Sequence, residues 1–346
     1  MKKTILLLLV LILTACAPLT PAMRTAPLAS DANDIVLDPS VSYNTLTVSA
    51  SGTADDPITV WGNGATAKCV DLSGAYIVLQ NVTVVGCNSH GILIRGNHIT
   101  VANNTVSNVV TQNGTGKCIG GSVQWGSAIK VYNGASHILI TKNNVSRSCG
   151  EGIDSARGID VTITYNTVTD VFSVGIYPDN SNGVTVLGNT VICSDPNYYR
   201  NGKPANGVLI GAENYSGWGF QLANVLVENN TFYGCSGIRY YATVSGTPVG
   251  VRVVNNYFSG VPAPFVSLPS WAEVSGNVAL VGPTLTPGPT RTPTASSTPA
   301  PPTATRTQTP VVSVTPSRTP SPAPTASLEC HEVTSASGTK VLVCFP

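Results

Sequence analysis

Glu151, Asp154, Arg157 and Asp160 crowd into the eleven residues of GEGIDSARGID, Gly150–Asp160, in a chain that is only 10% charged. The stretch contains one copy of a recurring phrase, a small residue followed by Ile or Val. The copies read HGILIR from His90, SAIKVY from Ser127, EGIDSA from Glu151, VGIYPD from Val174, NGVLIG from Asn206 and SGIRYY from Ser236. As strands they turn Ile92, Ile129, Ile153, Ile176, Val208 and Ile238 inward, so the next position points out to solvent. That outward column is Leu93, Lys130, Asp154, Tyr177, Leu209 and Arg239, and the column two residues on is Arg95, Tyr132, Ala156, Asp179, Gly211 and Tyr241. Lys130, Asp154 and Tyr177 then occupy consecutive rungs about 4.8 Å apart. A lysine, a carboxylate and a phenol in one column are groups that move protons. Asp160 falls in the following turn, aligned with His98, His137 and Asn224, and is expected to cap it. Arg157 is free to pair with either acid, and Glu151 opens the strand at the edge of the patch.

A second phrase positions these strands. It reads apolar-x-apolar-x-Asn-x-Val/Phe and recurs as ITVANNTV, ILITKNNV, VTITYNTV, VTVLGNTV, VLVENNTF and VRVVNNYF. Its last asparagines are Asn81, Asn104, Asn144, Asn166, Asn189, Asn230, Asn256 and Asn277, mostly spaced in the low twenties. Period-2 strands on either side of an asparagine turn, repeated at that interval, describe one coil of a solenoid. Stacked asparagines would hydrogen-bond up the coils, and the stacked Val and Ile would form a core that no coil buries alone. With these repeats, and with the opening SGTADDPITVWGNG, the chain resembles the right-handed parallel β-helix (pectin-lyase-like) superfamily. The expected fold is all-β, a right-handed parallel β-helix over 34–282. A Pro/Thr/Ser-rich linker over 283–327 and a Cys-bracketed hairpin over 328–346 follow it.

The ends and the cysteines say where such a chain works. MKKTILLLLVLILTAC has a basic start, a short apolar run and, at Leu13–Cys16, a sequence that resembles the lipobox of bacterial lipoproteins. The reading is a signal peptide over 1–15, a lipidated Cys16, a tether over 16–33, and a protein held in the bacterial envelope or on the cell surface through its membrane anchor. The linker is too rich in proline and too poor in apolar residues to fold, and would reach at most about 140 Å at about 3.1 Å per residue. The remaining eight cysteines pair as Cys69–Cys87, Cys118–Cys149, Cys193–Cys235 and Cys330–Cys344, in an export compartment that permits disulfides. A net charge of +1 without a basic run argues against nucleic acid as a partner. No Cys/His spacing suits zinc, and a monomer is the expected state.

Three functions are compatible with these residues. The first is β-elimination from an acidic, uronate-containing polysaccharide. Lyases of the family use Lys or Arg, often with calcium held by acidic residues, so the resemblance implies Lys130 as base and Tyr177 as proton donor. Glu151, Asp154 and Asp179 would hold Ca²⁺, the one cofactor considered. Arg239 would pair with a substrate carboxylate. Tyr132 and Arg95, in the second outward column, would line the groove, together with Trp125, Tyr198, Tyr199 and Trp218 on insertions before Lys130 and around Asn206. The second is an inverting glycoside hydrolase, because Asp154 and Asp179, one rung apart and offset by two residues, stand about 8 Å apart. Of the hydrolase signatures, Asn-Thr-Asp, Gly-His-Gly and Arg-Ile-Lys are absent and the one Asp-Asp, Asp55–Asp56, lies in the opening stretch away from the charged columns; the epimerase DPH is absent too. The third is a non-catalytic display protein that binds surface glycans.

Overall fold

A computed structural model of the chain describes residues 33–119, 125–214, 217 and 219–280, together with the backbone of strands Glu329–Thr334 and Lys340–Phe345. Short strands rich in Val, Ile and Thr wind into coils, each strand pairing in parallel with its counterpart one coil away. Three ladders result. The first has ten strands and runs from Asp34–Val36 to Glu273–Ser275. The second runs from Thr83–Val85 to Val278–Ala279. The third, which carries the recurring Gly-Ile phrase, includes Ser127–Tyr132, Glu151–Ala156, Val174–Asp179, Asn206–Ala212 and Ile238–Ala242. Thr66–Leu72 bends across a corner and pairs with both Thr83–Val85 and Ile92–Ile94, joining the second and third ladders into one sheet. This is the right-handed parallel β-helix expected from the repeats.

The core is a set of columns. Ile92, Ile129, Ile153, Ile176, Val208 and Ile238 stack inside the third ladder with no exposed surface. Phe232, Phe258 and Phe265 stack at 5.2 Å between ring centroids in the last coils. Three disulfides tie coils or insertions together as the spacing predicts: Cys69–Cys87, Cys118–Cys149 and Cys193–Cys235. The two C-terminal strands pair antiparallel with Cys330 opposite Cys344. The side chains of that expected fourth disulfide lie outside the described residues, as do the signal segment with Cys16 and the Pro/Thr/Ser-rich segment. Among the described residues no helix is long and apolar enough to cross a membrane.

The asparagine ladder is present but begins later and shifts by one residue. It runs Asn104, Asn143, Asn166, Asn189, Asn230, Asn256 and Asn277, each side-chain oxygen accepting from the backbone N–H and the amide of the asparagine one coil before it. At its start the Asn104 oxygen accepts the N–H of Val82. The rung belongs to the residue two before the inward Val or Phe. Asn144 precedes Val145 directly and pairs with Thr105 and Thr167, so it lies outside the ladder and is exposed. Asn81 is likewise displaced: Val82 takes the rung, and Asn81 occupies the corner position with φ 57°. That corner requires a left-handed residue in every coil, as at Asn103, Lys142, Tyr165, Gly188 and Asn229, and this explains the doubled asparagines.

Each ladder amide also caps carbonyls that the corner would strand, as Asn166 does for Ile140 and Thr164. Asn166→Ala removes the acceptor of two Asn143 donors and the donor of these carbonyls. It should cost ~2–3 kcal/mol and lower the Tm by about 5–10 °C. Asn144→Ala should change stability by less than about 0.5 kcal/mol. Thermal unfolding of both variants checks the assignment, and equal losses would contradict it.

Candidate functional site

The third ladder brings the chemistry-bearing residues into register. Lys130 pairs with Asp154, Asp154 with Tyr177, and Ser127 with Glu151. In the neighbouring column Tyr132 pairs with Ala156, Ala156 with Asp179, and Asp179 with Gly211. The two outward columns are those read from the sequence. They do not face solvent, however: Asp154 is 1% exposed, Asp179 and Tyr177 4%, and Lys130 8%. On a flat ladder, neighbouring rungs pack side against side, so long outward side chains cover one another. Tyr177 lies across the next coil, where a Cβ on Gly211 would stand 2.5 Å from its hydroxyl.

Burial without water forces these groups to satisfy each other. Lys130 Nζ donates to Asp154 Oδ2 at 2.5 Å. Ser127 Oγ donates to Glu151 Oε2 at 2.8 Å and approaches Asp154 Oδ2 at 3.3 Å. Asn180 Nδ2 donates to Asp179 Oδ1 at 3.0 Å. Asp154 Oδ1, Tyr177 Oη, Asn180 Oδ1 and Glu213 Oε2 are buried without a hydrogen-bond partner. Burial alone would lower the Lys130 pKa, but the charges of Asp154, Glu151 and Asp179 reverse that and raise it. Burial, then the adjacent Asp154, pushes Glu151 well above the carboxylate range, against the pull of Lys130 and the Ser127 hydroxyl. Asp179 is pushed up to about 8 by burial and by the charges of Asp154 and Glu213. Tyr177 is raised by burial and by Asp179, so it keeps its proton. Burial and mutual repulsion thus favour the protonated forms of Glu151 and Asp179 beside the Lys130 ammonium.

Three members carried no distinctive sequence signal. His90 Nδ1 accepts the N–H of Ser127 at 3.2 Å; burial and the Lys130 charge hold the imidazole down to about 4 although Asp154 opposes them, so it is neutral. Ser127 bridges two carboxyls, and Glu213, on the insertion after Asn206–Ala212, reaches the Tyr177–Asp179 end. Ser127 opens its strand in register with Glu151, and His90 lies just before the strand Ile92–Ile94.

Other expected residues lie elsewhere. Arg239 donates to the carbonyls of Ile238 and Phe265 and serves the end of the solenoid. Arg95 pairs with Asp71 on the preceding coil. Tyr132 is on the third ladder and exposed. Trp125 is 38% exposed, with the Arg200 guanidinium 4.7 Å from its ring centre. Trp218 is outside the described residues. Tyr198 does not line a groove: it is buried with Phe172 and the Cys118–Cys149 disulfide. Tyr199 donates to the Cys193 carbonyl. Arg157 donates to Asn133 Oδ1 and Gln221 Oε1. Asp160 meets His137 Nδ1 at 2.9 Å in the turn column, where Tyr76, His98 and His137 stack.

The insertions wall both ends of the site strands. At the N-terminal edge the first two meet where Cys118 N–H donates to the Asn197 carbonyl, and Arg200 reaches Ser173. At the C-terminal edge Asn180 Nδ2 donates to the carbonyl of Glu213.

The site as placed does not suit the calcium that the resemblance implies. The ion takes six to eight oxygens at about 2.3–2.6 Å. Among the described residues no group of three or more His, Cys, Asp or Glu is arranged to hold a metal ion. The cation beside Asp154 is the Lys130 ammonium.

The raised Asp179 pKa has a consequence for stability. Its ordinary value is 3.8 and its folded value about 8, so between these the native state binds a proton that the unfolded state has lost. Stability contributed by this group is complete below pH 3.8 and is lost as pH rises toward about 8. Asp179→Asn should flatten the fall in Tm between pH 5 and about 9 and give the higher Tm at about pH 9. Thermal unfolding across that range tests it, and parallel curves for the two proteins would refute the assignment.

Residues 56–213 match the family model described as right handed beta helix region. Among solved structures the chain is similar to the A-module of the Azotobacter vinelandii mannuronan C-5 epimerase AlgE6, at 17% identity and a TM-score of 0.44, covering 72% of this chain and 76% of that one. It is similar to an alginate lyase from Paenibacillus sp. str. FPU-7, at 16% identity and a TM-score of 0.38, over 73% of this chain and 93% of that one. The pectate lyase Pel9A matches at 16% identity and a TM-score of 0.39, over 70% of each chain. No curated protein matches the sequence. With its three parallel ladders, the chain is a right-handed parallel β-helix protein.

Proposed function

We propose that the protein is a carbohydrate-active β-helix protein that cleaves a polysaccharide by acid–base catalysis on the third ladder. The carrying observation is the state of Asp154: its Oδ2 is bound by Lys130, while its Oδ1 is buried, unpartnered and one rung from Asp179. Two carboxyl groups with different environments, one bonded to an ammonium and one beside other acids, divide the roles of base and acid. Asp179 gives its proton to the leaving glycosidic oxygen. Asp154 Oδ1 takes a proton from the water that attacks the anomeric carbon, the arrangement of an inverting hydrolase. Lys130 orients Asp154, and Trp125 offers a ring face to a sugar.

This assigns Lys130 differently from the sequence reading. A lysine bonded to Asp154, with its pKa raised, is a poor base for the C5 proton of a uronate. Hydrolysis therefore fits the cluster better than β-elimination, and display without turnover is the third outcome of the test. The N-terminal segment and the Pro/Thr/Ser-rich segment suit work outside the cytoplasm on a lipid anchor at Cys16. Cys16→Ala should abolish palmitate incorporation in a bacterial host, and continued labelling would reject the anchor.

The full chain should release reducing ends from a responsive polymer, in a panel of neutral and uronic polysaccharides, without unsaturated ends absorbing in the ultraviolet. Asp154→Asn and Asp179→Asn should each lower kcat by about 10²–10⁴-fold while the variants stay folded. Unsaturated ends would favour the lyase. Binding without either product would favour display.

A further inference from the structure

We infer that the C-terminal hairpin, Glu329–Thr334 with Lys340–Phe345, docks on the C-terminal end of the solenoid and closes a core that the last coil leaves open. The inference does not depend on the reaction proposed above. In the first ladder the inward column that runs from Val60 through Ile163 to Val253 has no exposed surface, but Val274, which pairs with Val253 from the last coil, is 45% exposed. In the second ladder Phe258 is buried, while Ala279, its counterpart on the last coil, is exposed. Leu280 beside it is exposed as well. Among the described residues the strands Val266–Ser267, Glu273–Ser275 and Val278–Ala279 each have one neighbour, on the coil before. A solenoid needs a terminal unit over its last apolar layer, and strand edges of this kind recruit one.

The course of the chain selects the occupant. It leaves the solenoid at Leu280, on the open end itself, and enters the hairpin roughly 48 residues later, a tether that spans tens of ångströms. A tether of that kind holds the hairpin near the open end at an effective concentration on the order of 1 mM. The hairpin needs a partner in turn. Two paired strands alone are at best marginally stable in water, and KVLVCF, Lys340–Phe345, is mostly apolar. A second copy stacked head to tail is the competing occupant. Its N-terminal end offers little apolar surface, because Leu37, Leu46 and Val48 are already buried there. At micromolar protein it would also have to bind about 10³-fold more tightly than the tethered hairpin.

Hydrogen exchange of the full chain, read by mass spectrometry beside thermal unfolding, tests this. Leu342→Asp combined with Val343→Asp puts a charge on each face of the hairpin strand. That variant should speed exchange over residues 273–279 by about 10-fold or more and lower the Tm by about 3 °C or more. Val274→Asp should produce the same changes, and all three substitutions together should do no more than Val274→Asp alone, because they remove two sides of one contact. The wild-type protection should not vary with protein concentration. Exchange over 273–279 that ignores the hairpin substitutions would overturn the inference, as would losses that simply add. Protection that rises with protein concentration would overturn it in favour of a second copy. If Val274→Asp does not fold, Val274→Ser replaces it, and the hairpin variant remains decisive.

Discussion

Parallel pairing between successive coils sets each residue about 4.8 Å above its counterpart, and the rest of this structure depends on that spacing. It turns a repeat in the sequence into a column in space. Columns of Val and Ile become a continuous core, and a column of asparagines supplies donors and acceptors at a corner where the backbone turns out of its ladder. The corner needs a left-handed residue followed by the ladder asparagine, so the turn and its hydrogen bonds are specified together. Deleting one asparagine affects the backbone groups of two coils.

The spacing that favours like residues in the core penalises like charges in an outward column. The site column alternates instead: Leu93, Lys130, Asp154 and Tyr177 succeed one another, with a cation beside an anion and a phenol beyond them. Coulomb interactions at one rung's distance are strong where the dielectric is low. The single ammonium therefore fixes Asp154, and the surplus acid charge is relieved by proton uptake at Glu151 and Asp179. The distribution of protons in the site follows from the order of side chains along the coils and from their burial.

Much of this was legible before any coordinates. Strand alternation gave the two outward columns and their register, because side-chain direction has a period of two and the Gly-Ile phrase marks the same point in each coil. The three described disulfides followed from spacing measured in coils. The asparagine ladder was misplaced at Asn81 and Asn144 because doubled polar residues leave the phase of the repeat ambiguous. The inward Val or Phe two residues later resolves it. A residue's column does not say where a long side chain ends, and its place on an insertion does not say what it packs against. Arg239 turns back to backbone carbonyls, and Tyr198 packs on a disulfide.

The sequence by itself determined the solenoid, the face that carries the charges and which residues stand above which, since all three follow from periodicity and parallel pairing. Only the tertiary structure decided that this outward face is buried. Walls from the insertions and packing between rungs depend on side-chain reach, which periodicity does not encode. That burial in turn decided that Lys130 is held against Asp154, that the Asp179 and Glu151 carboxyls are pushed up from their usual range, and that His90, Ser127 and Glu213 belong to the cluster. Protonation depends on solvent exclusion and on charges brought together from separate coils, and neither exists until the coils have stacked.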